Sequence, residues 1–105
     1  MSLTGAQVVV QHLINEGCPY VAGIPGHGNL PLADALRLRS DRITALQVLH
    51  EACGVHLAEG YYRVTGKPLA VFTSIGPGAL TTAIGLANAY ADSTAVLALT
   101  GDTHV

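Results

Sequence analysis

The stretch Leu69-Ala70-Val71-Phe72-Thr73-Ser74-Ile75-Gly76-Pro77-Gly78-Ala79 decides the fold. Its first four residues are apolar on both alternating sets, the mark of a strand buried on both faces and not of a half-solvated one. The glycines around Pro77 impose a tight turn, and the alanine-rich run from Ala79 to Ala91 has the composition of a helix. Strand, turn and helix in that order make one unit of an open α/β sheet.

The same scheme recurs on either side. Upstream, a helix is expected from about Glu51 through Tyr62, stopping near Gly66 with Pro68 just beyond. Before it, Ile43 to Leu49 reads as a buried strand, preceded by a helix capped by Asn29 in which Leu32, Ala35 and Leu36 face inward. The chain opens with Thr4-Gly5-Ala6-Gln7, spaced as a capping box, and with Ala6, Val9, Val10, Leu13 and Ile14 at helical intervals. Tyr20 to Ile24 then reads as a short strand ending in Pro25-Gly26. Downstream, Ala95 to Thr100 is the last strand, followed only by Gly101-Asp102-Thr103-His104-Val105.

Helix and strand thus alternate four times, which predicts an α/β fold: a parallel sheet covered by helices on both faces, with right-handed crossovers. Because no covering helix follows Thr100, the last strand is expected to be partly bare and the chain to be a piece of a longer polypeptide. At 105 residues there is room for one domain, spanning 1–105. Half the residues are hydrophobic and 11% are charged, so part of the apolar surface is expected to be covered by something else.

A net charge of −2 gives no footprint for nucleic acid or an anionic membrane. No apolar run reaches the length of a bilayer span, and no signal peptide is visible. Cys18 and Cys53 form no disulfide framework, so reduced thiols in a cytoplasmic protein are expected.

In such a sheet the informative rim is the carboxyl end of the strands. Three segments should meet there: Pro25-Gly26-His27-Gly28-Asn29, His50-Glu51, and Ser74-Ile75-Gly76-Pro77-Gly78. Glu51 carries the most chemistry, at a strand-to-helix junction. The helix N-terminus favours its carboxylate, whereas desolvation in an apolar pocket would favour the acid. The alternative is an ordinary first-turn glutamate stabilising a helix.

Other chemistries fit poorly. His50 and His56 are six apart, on different helix faces, where a zinc-protease helix needs histidines four apart. Cys53 and His56 supply two ligands, too few for structural zinc, so no metal site is expected. Gly26-His27-Gly28 opens a helix, but Pro31 stands where a dinucleotide fingerprint requires its third glycine. Gly76-Pro77-Gly78 lacks the lysine and hydroxyl of a P-loop. Thr73, Ser74, His27 and His104 include nucleophile and base types, with no spacing that demands that role.

Taken in order, Gly23-Ile24-Pro25-Gly26, His50-Glu51-Ala52-Cys53-Gly54, Ala58-Glu59-Gly60-Tyr61-Tyr62-Arg63, Gly66-Lys67-Pro68, Thr73 through Ala79, Ala87 through Ser93 and Leu99-Thr100-Gly101 form a series. The series resembles the N-terminal pyrimidine-binding domain of thiamine-diphosphate enzymes of the acetolactate synthase, benzoylformate decarboxylase and pyruvate decarboxylase type. The resemblance covers nearly the whole chain.

It implies that Glu51 is catalytic, bonding a ring nitrogen of the cofactor's aminopyrimidine and promoting its imino tautomer. It implies that Pro25, Gly26, Gly76, Pro77 and Gly78 approach the cofactor, and that His27 and Ser74 face the substrate, a small 2-oxo acid. The diphosphate and its Mg²⁺ would be held by a separate C-terminal domain bearing a Gly-Asp-Gly motif, which these residues do not contain. A second subunit would complete the site, in a homodimer or homotetramer, so the chain alone is expected to be inactive.

The series also departs from the family pattern. Ile75 fills the space between Ser74 and Gly-Pro-Gly, where members often have a single residue or none, an asparagine usual after that turn is replaced by Thr81 or Thr82, no histidine stands near Thr73 or Ser74, and Tyr62 stands for an alanine. These differences bear on the substrate. The alternative of another class is a non-catalytic α/β module used for dimerisation or regulation.

Overall fold

The computed structural model describes residues 2–103. Helix α1 (Gly5–Asn15) starts at the expected capping box: Gln7 N–H donates to Thr4 Oγ1, and Thr4 N–H donates to the Gln7 side chain. Val10 and Leu13 are buried, Ala6 and Ile14 pack against the core, and Val9 is exposed. Strand β1 (Tyr20–Gly23) leads through a 3₁₀ turn (His27–Asn29) into α2 (Leu30–Leu38), which buries Ala35 and Leu36 and packs on α1. Strand β2 (Thr44–Gln47), helix α3 (Glu51–Thr65) and strand β3 (Leu69–Thr73) follow. Two helices, α4 (Pro77–Leu80) and α5 (Ala83–Ala91), precede β4 (Val96–Thr100).

All strand pairs are parallel and the order is β2-β1-β3-β4. Val21 lies opposite both Ala45 and Ala70, and Leu69 opposite Val96. β3 is buried at every position, which requires cover on both sides, and the α/β reading of Leu69–Thr73 holds. Helix α3 lies on β1, β3 and β4 and packs against α5. The core joins Val10, Leu36, Val21, Val71, Phe72, Val55 and Leu69 across these layers.

Several local expectations need correction. Ile43 to Leu49 is not a buried strand: only Thr44–Gln47 pairs, it is an edge strand mostly open to solvent, and Leu49 is 99% exposed. An apolar run cannot by itself distinguish an edge from a centre, because pairing on one side only leaves the other side and part of both faces uncovered. The run from Ala79 to Ala91 does not form one helix. Thr82 N–H bonds the Ala79 carbonyl, three residues back, and the Thr81 and Thr82 hydroxyls reach the Gly78 and Ala79 carbonyls. Hydroxyls competing for backbone partners break the helix there. Asn29 does not cap α2 with its side chain, which turns back to Gly26 and Ile24. The partly bare last strand is observed: β4 is intermediate or exposed throughout, with Leu97 45% exposed.

Candidate functional site

The strand order places a topological switch point between β1 and β3: the chain leaves β1 towards β2 on one side, and β3 lies on the other. Segments that follow such strands diverge and leave a crevice at their carboxyl ends. Here those segments are Ile24–Asn29 and Ser74–Gly78, with Gly101 after β4 alongside.

The turn after β1 is held by a buried side chain. Asn29 Oδ1 accepts from Gly26 N–H at 2.8 Å, and its Nδ2 donates to the Ile24 carbonyl at 3.0 Å. The Asn29 amide thus closes the Pro25-Gly26 turn from beneath. Gly28 N–H donates to Ser74 Oγ at 3.1 Å, linking this turn to the end of β3.

These contacts are close enough to require glycine. A Cβ at Gly26 would lie 2.6 Å from Ser74 Cβ, and one at Gly28 would lie 2.4 Å from Ile75 Cγ2. Ile75, between Ser74 and Gly-Pro-Gly, therefore packs on Gly28. Gly76 adopts φ 52°, a left-handed conformation that glycine takes without steric cost, and it directs the chain into α4.

Glu51 is the first residue of α3 and is half-buried. His50 caps that helix, its Nδ1 accepting from Ala52 N–H at 3.1 Å. The Glu51 carboxylate reaches across to α4 and the residue that ends it: Oε2 accepts from Thr81 Oγ1 at 2.8 Å, and Oε1 lies 3.2 Å from where a Cβ on Gly78 would stand. A Cβ at Gly78 would also lie 3.7 Å from Ser74 Cβ. Glu51, Gly78, Ser74, Gly26 and Gly28 consequently form one chain of contacts. Pro25, His27 and Pro77 are exposed on the flanking turns, while His104 lies outside the described residues.

Behind the rim, Glu59 of α3 is buried and fully bonded. Asn88 Nδ2 of α5 donates to its two oxygens at 2.9 and 2.7 Å, and Arg63 donates at 2.6 Å. Arg63 also bonds Asp92 beyond the end of α5, and His56 Nδ1 lies 3.7 Å from Glu59. The Arg63 and Asn88 hydrogen bonds hold the Glu59 carboxyl below its ordinary value, outweighing burial, and Glu59 and Asp92 raise Arg63. This network fixes α5 against α3, and hence Thr81 against Glu51.

Sequence reasoning placed the three segments together, but read Asn29 as a helix cap and Thr81 as a departure bearing on the substrate, and gave the Glu59 network no role. The capping residue type at Asn29 and the Glu59–Arg63 spacing of one helical turn were the available signals. A cleft of about 320 Å³ bounded by Leu13, Cys18, Tyr61, Lys67 and Leu97 lies at the amino ends of β1 and β3. It is remote from Glu51, and the buried Cys18 thiol there is engaged with the Tyr20 carbonyl. Both cysteines are free thiols. Among the described residues, no cluster of three or more His, Cys, Asp or Glu could hold a metal, and no helix is long and apolar enough to cross a membrane.

Residues 3–105 match the family model described as thiamine pyrophosphate enzyme, N-terminal TPP binding domain. The chain belongs to this family. It is 41% identical over 99 residues to the acetolactate synthase large subunit of Haemophilus influenzae, covering 94% of this chain and 17% of that protein. It is 40% identical to the large subunit of acetolactate synthase isozyme 3 of Escherichia coli, with the same coverage of both chains. The mitochondrial acetolactate synthase catalytic subunit of Saccharomyces cerevisiae is 36% identical over 101 residues, 96% of this chain and 15% of that one. The chain therefore spans about a sixth of the length of these relatives.

Proposed function

We propose that this thiamine pyrophosphate-binding domain forms the pyrimidine side of the active site of an acetolactate-synthase-like enzyme acting on small 2-oxo acids, with Glu51 as the group that activates the cofactor. The observation that carries this reading is the Glu51 carboxylate at the switch-point crevice, lying over a glycine. A carboxylate there can share a proton with a ring nitrogen, and Gly78, where a Cβ would lie 3.2 Å from Glu51 Oε1, keeps a side chain away from it, while an added Cβ at Gly76 would meet no atom within 4 Å. The donor set and the cradle therefore fit thiamine diphosphate. When bound, that cofactor supplies the carbon nucleophile and electron sink for decarboxylating a 2-oxo acid.

The roles of the chain's own residues follow. Glu51 holds or yields one proton at the pyrimidine. Pro25, Gly26, Gly76, Pro77 and Gly78 form the walls against the ring. Ser74 has one lone pair committed to Gly28 N–H, which leaves its hydroxyl hydrogen and second lone pair to meet the substrate, beside His27. The diphosphate and Mg²⁺ belong to another domain of the same polypeptide, and a second subunit completes the site in a homodimer or homotetramer.

Exchange of Glu51 for Gln in the full-length protein tests the reading. Glutamine keeps the shape and loses the shared proton, so turnover of 2-oxo acids should fall by about 10²–10⁴-fold, the range for a positioned acid–base group. A rate like that of the unsubstituted enzyme would overturn the assignment.

A non-catalytic assembly module is the second reading. It is favoured by Leu80, Ile84 and Tyr90, which stand 74%, 72% and 87% exposed on α4 and α5. Such a surface serves a two-subunit active site equally well. Failure of the full-length protein to bind thiamine diphosphate, with its oligomer intact, would give this second reading the lead.

A further inference from the structure

Thr81 Oγ1 stands 2.8 Å from Glu51 Oε2 and 2.9 Å from the Gly78 carbonyl oxygen. A hydroxyl has one hydrogen, so it can donate to only one of these acceptors at a time. With Glu51 ionised, the hydrogen belongs on Oε2, because a bond to a charged acceptor is roughly twice as strong as one to a neutral carbonyl. With a proton on Glu51, the same oxygen can accept from the carboxyl O–H while its own hydrogen turns to Gly78. The partner atoms needed for both arrangements are in place without movement of any heavy atom.

The geometry points to Thr81 as the positioning residue for Glu51, a hydroxyl that can partner its carboxyl in either protonation state. This inference rests on the role proposed for Glu51. It is supported by the way Thr81 is held. Its N–H bonds the Pro77 carbonyl, the buried Thr82 follows it, and α5 is tied to α3 through Asn88 and Glu59. The hydroxyl is thus delivered to Glu51 by a fixed piece of backbone. The competing account is that Thr81 only satisfies the Gly78 carbonyl at the end of α4 and does nothing for Glu51.

The experiment compares Thr81→Val, which keeps the shape without the hydroxyl, with Thr81→Ser, which keeps the hydroxyl. Infrared spectra of the cofactor-free, full-length protein with isotope-labelled glutamate report the carboxylate stretch, Glu51 being assigned as the band missing in Glu51→Gln. The Glu51 band should shift in Thr81→Val and stay in place in Thr81→Ser. In the loaded enzyme, kcat should fall about tenfold in Thr81→Val, the loss expected from one such hydrogen bond, and recover to within about twofold in Thr81→Ser. KM should change little.

A Glu51 band unmoved in Thr81→Val, or a serine variant no better than valine, would overturn the inference, even if Thr81→Val lowered the melting temperature. If valine prevents folding, Thr81→Ala is read in the same way. The infrared arm uses no cofactor, so it can fail while Glu51→Gln remains inactive. Conversely, an active Glu51→Gln enzyme would sink the proposed function whatever the band does.

Discussion

Gly78 and Glu51 are in such close register that a methyl group on the first would lie 3.2 Å from Oε1 of the second. That separation is tighter than ordinary van der Waals contact, so the carboxylate, being the movable partner, must give way. Gly78 sits inside α4 with a backbone that alanine can adopt, and alanine is the better helix former by roughly 0.5–1 kcal/mol. Gly78→Ala should therefore leave the melting temperature of the full-length enzyme unchanged or slightly raised. Its kcat should fall by about tenfold, since displacements of up to about 1 Å at a reacting group cost up to roughly 10²-fold. Equal losses of stability and activity would show that Gly78 serves the backbone and not the carboxylate.

Gly101 meets the β1 turn even more closely, since its added Cβ would lie 2.4 Å from the Gly28 carbonyl oxygen. Backbone cannot rotate away as a side chain can. Gly101→Ala should push the turn of Gly26 and Gly28 off Ser74 and weaken thiamine diphosphate binding by about tenfold, or about 1.4 kcal/mol, measured by calorimetric titration of the full-length protein. An unchanged affinity would mean that this turn does not border the cofactor.

Much of the fold was legible because local signals agreed. The Thr4–Gln7 box, the doubly apolar β3 and the glycine at position 66, which ends α3 at φ 73°, each reported a local backbone fact. The exposure of β2 was not legible, because its edge position depends on which strands pair, and that is set by contacts distant in sequence. The break at Thr81 and Thr82 escaped notice for a related reason. Each threonine is tolerable in a helix, and only their adjacent hydroxyls, one of them reaching Glu51, decide against continuation. At the site, the strand-end rule placed Glu51 near Gly78, but no rule of spacing could supply the hydrogen bond thirty residues away.

The α3–α5 contact is set by Gly85, where a Cβ would lie 2.6 Å from Cβ of the fully buried Val55. Val55 has no flexible end to move, so Gly85→Ala must separate the helices, at a cost of about 1–3 kcal/mol. The melting temperature should fall accordingly. Adding Val55→Ala should restore part of the loss, because it removes the atoms that collide. If the two losses simply add, the helices are not in contact at this point.

Glu59 makes stability depend on pH in a direction fixed by its shift. Its carboxyl is held below the ordinary value of 4.5 by hydrogen bonds from Arg63 and Asn88, so the folded state binds the proton less readily than the unfolded chain. Such a group contributes its full stabilisation above the unfolded value and loses it as pH falls through the lowered folded value. Glu59→Gln removes the charge and turns an amide towards the donors of Arg63 and Asn88, so it should melt at a lower temperature than the unsubstituted protein. The gap should be constant above about pH 5.5, begin to close near 4.5, and go on closing below it as Glu59 itself becomes protonated. Melting curves of both proteins across that range check the sign. A gap that widened as pH fell would mean that the Glu59 carboxyl is raised, with burial prevailing over its partners. The tie between α3 and α5 would then have to be carried by packing at Gly85 and Val55.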